Sequence, residues 1–80
     1  MKWNKVHEIP ALDRRNWIVL LFEDGHVQYN AAYDGEDFTL WDDENGFWAS
    51  AEKIVGRKMV GWMYQSEVDA YLRGLKDKED

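Results

Sequence analysis

The stretch Ala31–Trp48, AAYDGEDFTLWDDENGFW, contains two turn dipeptides between short apolar runs. Asp34-Gly35 and Asn45-Gly46 tolerate the positive φ that tight turns require. The runs Phe38–Trp41 and Phe47–Ser50 therefore predict the two strands of a hairpin. The same stretch carries six carboxylates, five large aromatic side chains and no Lys or Arg. The stretch therefore bears both on the fold, through the hairpin, and on the function, through its charge and aromatic side chains.

Similar turn signals extend the pattern in both directions along the chain. Asp24-Gly25 and Val55-Gly56 continue a spacing of ten or eleven residues between glycines, which is typical of an antiparallel β-meander. Trp17–Phe22 is apolar on both faces and predicts a central strand. The remaining strand predictions are His26–Tyr33, with Val27, Tyr29, Ala31 and Tyr33 on one face, and Lys58–Tyr64, with Gly61 as a candidate bulge position. For Ser50–Val55 the pattern leaves two alternatives, a strand or a short helical turn.

The C-terminal segment changes to a helical period. Val68, Tyr71, Leu72 and Leu75 follow the spacing i, i+3, i+4, i+7 that marks one face of a helix. Ser66 with Asp69 resembles a capping box at its start. We therefore predict an α+β fold, a meander of four or five antiparallel strands with one C-terminal α-helix packed on the sheet, as a single domain over residues 1–80.

Composition excludes several classes of protein. There is no Cys, so disulfides, thiolate metal sites and thiol nucleophiles are absent. No apolar run approaches the roughly 18 residues of a membrane span. The basic start Met1–Lys5 leads into no apolar segment, so we expect no signal peptide and a cytoplasmic location.

Charge is distributed unevenly along the chain. Residues 16–52 hold nine of the sixteen carboxylates and no Lys or Arg, whereas both flanking segments are slightly basic and the total net charge is −6. Phosphates would be repelled by the middle segment, so direct nucleic-acid binding is disfavoured. A basic protein surface would be attracted to it.

Motifs for metal binding and catalysis do not fit. Loops starting at Asp34 or Asp42 lack the EF-hand ligand spacing, and neither His7 nor His26 has a second ligand one helical turn away. There is no nucleophile elbow or phosphate-binding glycine loop, and most of the carboxylates fall in predicted turns where water keeps them ionised. We expect no enzyme activity, no metal and no cofactor.

Binding by the hairpin is the favoured interpretation. If Phe38 and Leu40 face the core, Trp41 faces outward, and Trp48 can lie beside it across the hairpin. Two indoles rimmed by carboxylates would form an apolar anchor with a charged periphery. The alternative places both indoles in the core and leaves the acids as a solvated edge that discourages aggregation. A sharper alternative is that the carboxylates imitate the phosphates of DNA.

The order of several short motifs resembles a family of small bacteriophage and prophage proteins known as domain of unknown function 551. The resemblance covers about residues 3–63. It is carried by Trp3–Pro10, Val19-Leu20-Leu21, Asp24-Gly25, Ala31-Ala32-Tyr33 and Trp62-Met63, although Tyr64-Gln65 stand where the family has prolines and a helix is added. It implies a phage-type accessory protein with a small sheet and no catalytic residues to carry over.

Together these observations predict a non-enzymatic phage-type protein that binds and inhibits a basic, nucleic-acid-handling host protein, for example as an anti-CRISPR or other anti-defence inhibitor. A structural module that forms a homodimer is the alternative. The predicted partner-binding residues are Asp34, Glu36, Asp37, Trp41, Asp42, Asp43, Glu44 and Trp48.

Overall fold

The computed structural model describes residues 2–10 and 17–78, which form an α+β fold as predicted. One antiparallel sheet of six strands carries two helices. The elements are β1 (Asn4–Lys5), β2 (Ile18–Phe22), β3 (Val27–Tyr33), β4 (Phe38–Asp42), β5 (Phe47–Ser50), α1 (Ala51–Val55), β6 (Met59–Tyr64) and α2 (Gln65–Lys78). Gly25, Gly35, Gly46 and Gly56 all adopt positive φ, so the four predicted turns are confirmed.

The strand order is β1-β6-β2-β3-β4-β5, which departs from the predicted meander. The segments β2 to β5 do form a meander, but β6 returns to pair with β2 instead of extending the sheet beyond β5. The short helix α1 reverses the chain after β5, and Gly56 ends it in the left-handed conformation. As a result β5 remains at one edge of the sheet.

The sequence did not predict strand β1, because a strand of two residues is too short to show an alternating pattern. Asn4 lies opposite Trp62 and Lys5 lies opposite Gly61 at the other edge of the sheet. The indole N–H of Trp62 also donates a hydrogen bond to the carbonyl oxygen of Glu8, at 2.9 Å. The N-terminal segment is thereby held against β6.

Strand β2 is buried on both faces, as its continuous apolar run predicts. Ile18, Leu20 and Phe22 point to the inner face, and Val19 points to the outer face. The inner layer consists of Ile18, Leu20, Phe22, Ala31, Phe38, Leu40, Ala51, Met59 and Trp62. The outer layer is smaller and consists of Val19, Met63 and Val68 with the half-buried Trp3 packed against them.

Helix α2 packs on the outer face through Val68 alone among its predicted apolar residues. The predicted packing of the helix on the sheet is confirmed, although Tyr71, Leu72 and Leu75 of the apolar stripe are exposed. The helix begins at Gln65, whose N–H donates to the carbonyl oxygen of Trp17, at 2.8 Å. Ser66 therefore lies in the first turn and is not the predicted N-cap.

A bulge in β3 changes the predicted alternation of that strand. Leu20 pairs with Gln28 and Ile18 pairs with Ala31, which leaves one extra residue in β3 between them. Asn30 has φ 61°, the left-handed conformation that asparagine tolerates better than most residues. Val27 and Tyr29 consequently lie on the exposed outer face, whereas Ala31 turns into the core.

A second irregularity lies in β6, close to the glycine singled out in the sequence. The register shifts between Leu21 opposite Gly61 and Phe22 opposite Met59, so Val60 is the extra residue. A β-carbon on Gly61 would lie 3.1 Å from the carbonyl oxygen of Asn4 and 3.1 Å from the β-carbon of Trp3. The missing side chain at Gly61 lets β1 approach β6.

We expect Gly61→Ala to destabilise the protein by about 1–3 kcal/mol, since β1 must shift to accommodate the methyl group. Urea unfolding followed by circular dichroism measures the change. Gly74→Ala is the matched control, because nothing lies within 4 Å of its β-carbon position in α2. The control should stabilise the protein by up to about 1 kcal/mol through helix propensity. Equal effects of the two substitutions would contradict the close approach of β1.

Candidate protein-binding surface

The hairpin of β4 and β5 places two tryptophans opposite each other on the outer face. Phe38 and Leu40 face the core, so Trp41 points outward, and its register partner in β5 is Trp48. The ring centroids are 5.8 Å apart at an interplanar angle of 71°, an edge-to-face contact. Trp41 is 48% exposed and Trp48 is 41% exposed, which decides against the alternative that buries both indoles in the core.

A third indole, from Trp17, belongs to the same surface. Its ring centroid is 6.0 Å from that of Trp48 at an angle of 28°, and the residue is 46% exposed. We call Trp17, Trp41 and Trp48 the indole cluster. The sequence prediction assigned Trp17 to the central strand, which begins instead at Ile18. Alternation from Ile18 and Leu20 into the core could have placed Trp17 on the outer face.

Two small residues, one on β3 and one on β4, lie opposite each other on the same face of the sheet as the indole cluster. Ala32 pairs with Thr39, and both lie on the outer face, since Ala31, Phe38 and Leu40 face the core. The Thr39 hydroxyl donates a hydrogen bond to the carbonyl oxygen of Ala32, at 3.1 Å, and Thr39 is 7% exposed. Its only polar side-chain group is thus satisfied. Small side chains at these two positions leave the outer surface to the indoles.

The acidic turn, Asp42–Gly46, closes the hairpin next to Trp41. One carboxylate oxygen of Asp42 accepts hydrogen bonds from the backbone N–H groups of Glu44, at 3.0 Å, and Asn45, at 3.2 Å. The other oxygen accepts from the Asn45 side-chain amide, at 2.8 Å. These bonds favour the ionised form and hold the pKa of Asp42 below its usual range, the Asn45 side chain contributing most. Asp42 is therefore a turn-forming residue.

Asp34 has the same role in the turn between β3 and β4. Its carboxylate accepts hydrogen bonds from the backbone N–H groups of Asp37, at 2.7 Å, and Glu36, at 2.8 Å. The bond from Asp37 is the main cause that lowers the pKa of Asp34. The Asp37 carboxylate accepts from the N–H of Phe38, at 2.9 Å. Three of the six predicted contact carboxylates therefore shape the turns that hold them.

The other three carboxylates, on Glu36, Asp43 and Glu44, are exposed and make no hydrogen bond or ion pair within residues 2–10 and 17–78. The ion pair found in that part of the chain joins Arg57 to Asp24, in the turn between β2 and β3. No cation of the described chain therefore compensates these three groups. They remain free to meet an external partner.

The structure does not gather all eight predicted site residues in one place. Asp34, Glu36 and Asp37 lie at the beginning of β4, whereas Asp42, Asp43 and Glu44 lie at its end with Trp41 and Trp48. A five-residue strand separates the two groups by roughly 15 Å. The result is an aromatic surface with an acidic turn at each end of one strand.

The arrangement suits binding by contact. It offers apolar ring surface for burial and ionised carboxylates for pairing with Lys or Arg. Among the described side chains, no three His, Asp or Glu converge into a group that could hold a metal ion. The part of the chain that the structure describes contains no helix long and apolar enough to cross a membrane.

Comparisons with protein-family models, with curated proteins and with solved structures found no match. The class of the protein therefore follows from its own geometry, an α+β domain with an exposed aromatic and acidic surface. The resemblance to domain of unknown function 551 stays a prediction.

The hydrogen bonds to Asp42 predict a pH-dependent stability. A carboxyl whose pKa is lower in the folded than in the unfolded chain adds stability above the unfolded pKa of about 3.9, and this contribution is lost as the pH falls through the lower folded value. We expect Asp42→Ala to lower the urea midpoint at pH 7 and the difference from the wild type to shrink below about pH 4. Asp43→Ala, which removes an unpaired neighbour, should change the midpoint little at either pH. A pH-independent loss in Asp42→Ala would contradict the role of the ionised carboxylate.

Trp48 contacts both other indoles. The effects of substituting Trp48 and a neighbouring indole on the free energy of unfolding should therefore not be additive. In a double-mutant cycle of Trp17→Ala and Trp48→Ala, we expect a coupling free energy of about 1 kcal/mol from urea unfolding. A cycle of Trp17→Ala with Tyr29→Ala, another exposed ring on the outer face, is the control and should be additive. Additivity in the first cycle would show that the stacked pair is not formed in solution.

Proposed function

We propose that this protein is a non-enzymatic accessory protein of phage type that binds and inhibits a basic, nucleic-acid-handling host protein in the host cytoplasm. The observation that carries the proposal is the exposed indole cluster beside carboxylates that have no cation partner among the described residues. The phage origin rests on the family resemblance alone.

Exposed aromatic side chains in mutual contact support an interface more than a solubilising role. Trp and Tyr are enriched at the energetic centres of protein interfaces, where they are surrounded by polar residues that exclude water. Trp41 and Trp48 supply such a centre, and Trp17 enlarges it. An isolated exposed indole would need no explanation, but three in contact are costly to leave in water.

The charges support the choice of a basic partner. The net charge of −6 would attract a cationic protein and raise its association rate. At short range Asp43 and Glu44 are available for pairs with Lys or Arg beside Trp41, and Glu36 is available at the far end of β4. Asp34, Asp37 and Asp42 add negative potential while they hold the turns.

Anti-CRISPR or other anti-defence inhibition is one concrete form of the proposal, because the host defence proteins that would be inhibited bind nucleic acid in basic grooves. Full imitation of a run of phosphates receives less support. DNA carries one charge per about 1.7 Å of axis, whereas the two acidic turns are separated by a whole strand. Two separate acidic contacts around an apolar centre describe the surface better.

A homodimer is the second candidate, favoured by the position of β5 at the sheet edge with Phe47 and Trp48 exposed. Such a dimer would bring together two chains of net charge −6. It should therefore strengthen, or stay unchanged, as salt is added, whereas binding of a basic partner should weaken.

The test is affinity capture from a host lysate with three baits. We expect the wild type to recover a nucleic-acid-binding protein at low salt and the double variant Asp43→Asn with Glu44→Gln to recover much less. The matched control is Glu67→Gln with Asp69→Asn, which removes the same charge from exposed positions of α2 and should behave as the wild type. Elution between about 0.05 and about 0.5 M salt should release the partner.

Recovered candidates are then purified and tested for inhibition of their nucleic-acid binding at stoichiometric concentrations. Equal recovery by the wild type and the acidic-turn variant would refute the contribution of the carboxylates. A salt-resistant dimer that captures no basic protein would favour the second candidate.

A further inference from the structure

We infer that the free edge of β5 accepts an extended, arginine-bearing segment of the partner protein as an added strand. The inference rests on the proposed function and names the mode of binding, β-strand addition. It combines the open edge, the exposed side chains of β5 and the unpaired carboxylates next to it.

The edge of β5 lacks two of the usual protections against strand pairing, a charged side chain and a proline. β5 pairs with β4 on one side, and no described strand lies on its other side. Its sequence, Phe47-Trp48-Ala49-Ser50, contains no charged residue and no proline. The opposite edge differs, because β1 is two residues long and carries Lys5. Uncharged edge strands present unpaired backbone groups that can pair with another chain.

The side chains of β5 offer contacts on both faces of the sheet. Phe47 is 52% exposed and lies on the same side of its strand as Ala49, whereas Trp48 points to the outer face. Residues of an added strand would alternate in the same way. A side chain directly opposite Trp48 would therefore reach the indole, and its neighbours would reach Phe47 or Ala49.

Arginine fits the position opposite Trp48 better than other residues. A guanidinium stacks on an indole face and can also form paired hydrogen bonds with a carboxylate. Asp43 and Glu44 lie in the turn that leads directly into β5 and have no partner in the described chain. One arginine of the added strand would stack on the Trp48 indole. A second arginine, near the turn that precedes β5, would pair with the carboxylates of Asp43 and Glu44.

Charge decides between this occupant and a second copy of the chain. Two β5 edges paired about a two-fold axis would join sheets that each bear two acidic turns, with no compensating cation on β4 or β5. Like charges brought together across an interface oppose association. A basic segment removes that repulsion and turns it into attraction.

The test uses the full-length protein and a capped seven-residue peptide of alternating Val and Arg, Ac-VRVRVRV-NH2. Binding is followed by tryptophan fluorescence and by amide hydrogen exchange of ¹⁵N-labelled protein. We expect protection of β5 amides that are not bonded to β4 to rise by about tenfold or more at saturation, with little change in β1. The peptide Ac-VEVEVEV-NH2 should not bind.

Two further peptides isolate backbone pairing, each N-methylated on alternate residues, one on the arginines and one on the valines. One of them should lose binding and the other should keep it, because an added strand pairs through the N–H groups along only one of its edges. On the protein, Trp48→Ala should weaken binding by about fivefold or more. Val60→Ala, an exposed apolar residue of β6, should leave it unchanged.

The outcomes separate this inference from the proposed function. Absence of binding at roughly 1 mM peptide, binding without protection of β5, or equal binding of both methylated peptides would overturn strand addition even if a basic host protein is captured. Concentration-dependent protection of β5 in the protein alone would assign the edge to a second copy and would also overturn it. Peptide pairing with β5, without any host protein whose capture depends on Asp43 and Glu44, would instead leave the inference standing and refute the proposed function.

Discussion

The burial of β2 on both faces is the constraint on which the rest of the structure depends. Ile18, Leu20 and Phe22 need one apolar layer, and Val19 needs another. The inner layer is supplied by neighbouring strands and by Ala51 of α1, and the outer layer by Met63, by Val68 in the first turn of α2 and by the half-buried Trp3. On the outer face of β4 and β5 the indoles of Trp41 and Trp48 remain in contact with water.

Local signals in the sequence predict the elements well and their assembly less well. Asp-Gly and Asn-Gly dipeptides place the turns correctly, because the backbone conformation of those residues is a local property. The return of β6 to β2 depends on long-range pairing that no dipeptide encodes. The left-handed conformation of Asn30 was not predicted, and it makes the predicted alternation of β3 wrong. It shifts the register of β3, and the side chains before it change face.

The candidate site shows the same division between local and long-range information. The outward position of Trp41 followed from alternation in β4, and its contact with Trp48 followed from the hairpin register. The addition of Trp17 required knowledge of where a distant strand begins. Among the carboxylates, the sequence cannot separate Asp42 and Asp34, which hold turns, from Asp43 and Glu36, which are unpaired, because all four are acidic residues in turns.

The placement of the acids also bears on why they are present. If their purpose were only to protect a sheet edge from aggregation, charges would be expected on β5 itself, where backbone groups are open. They lie instead in the turns at the two ends of β4, and β5 carries Phe47 and Trp48. If their purpose were only solubility, mixed charges would serve as well, yet residues 16–52 contain no Lys or Arg. A strand edge and indoles that stay uncovered, with an acidic turn at each end of β4, are the features on which the proposal of a basic partner rests.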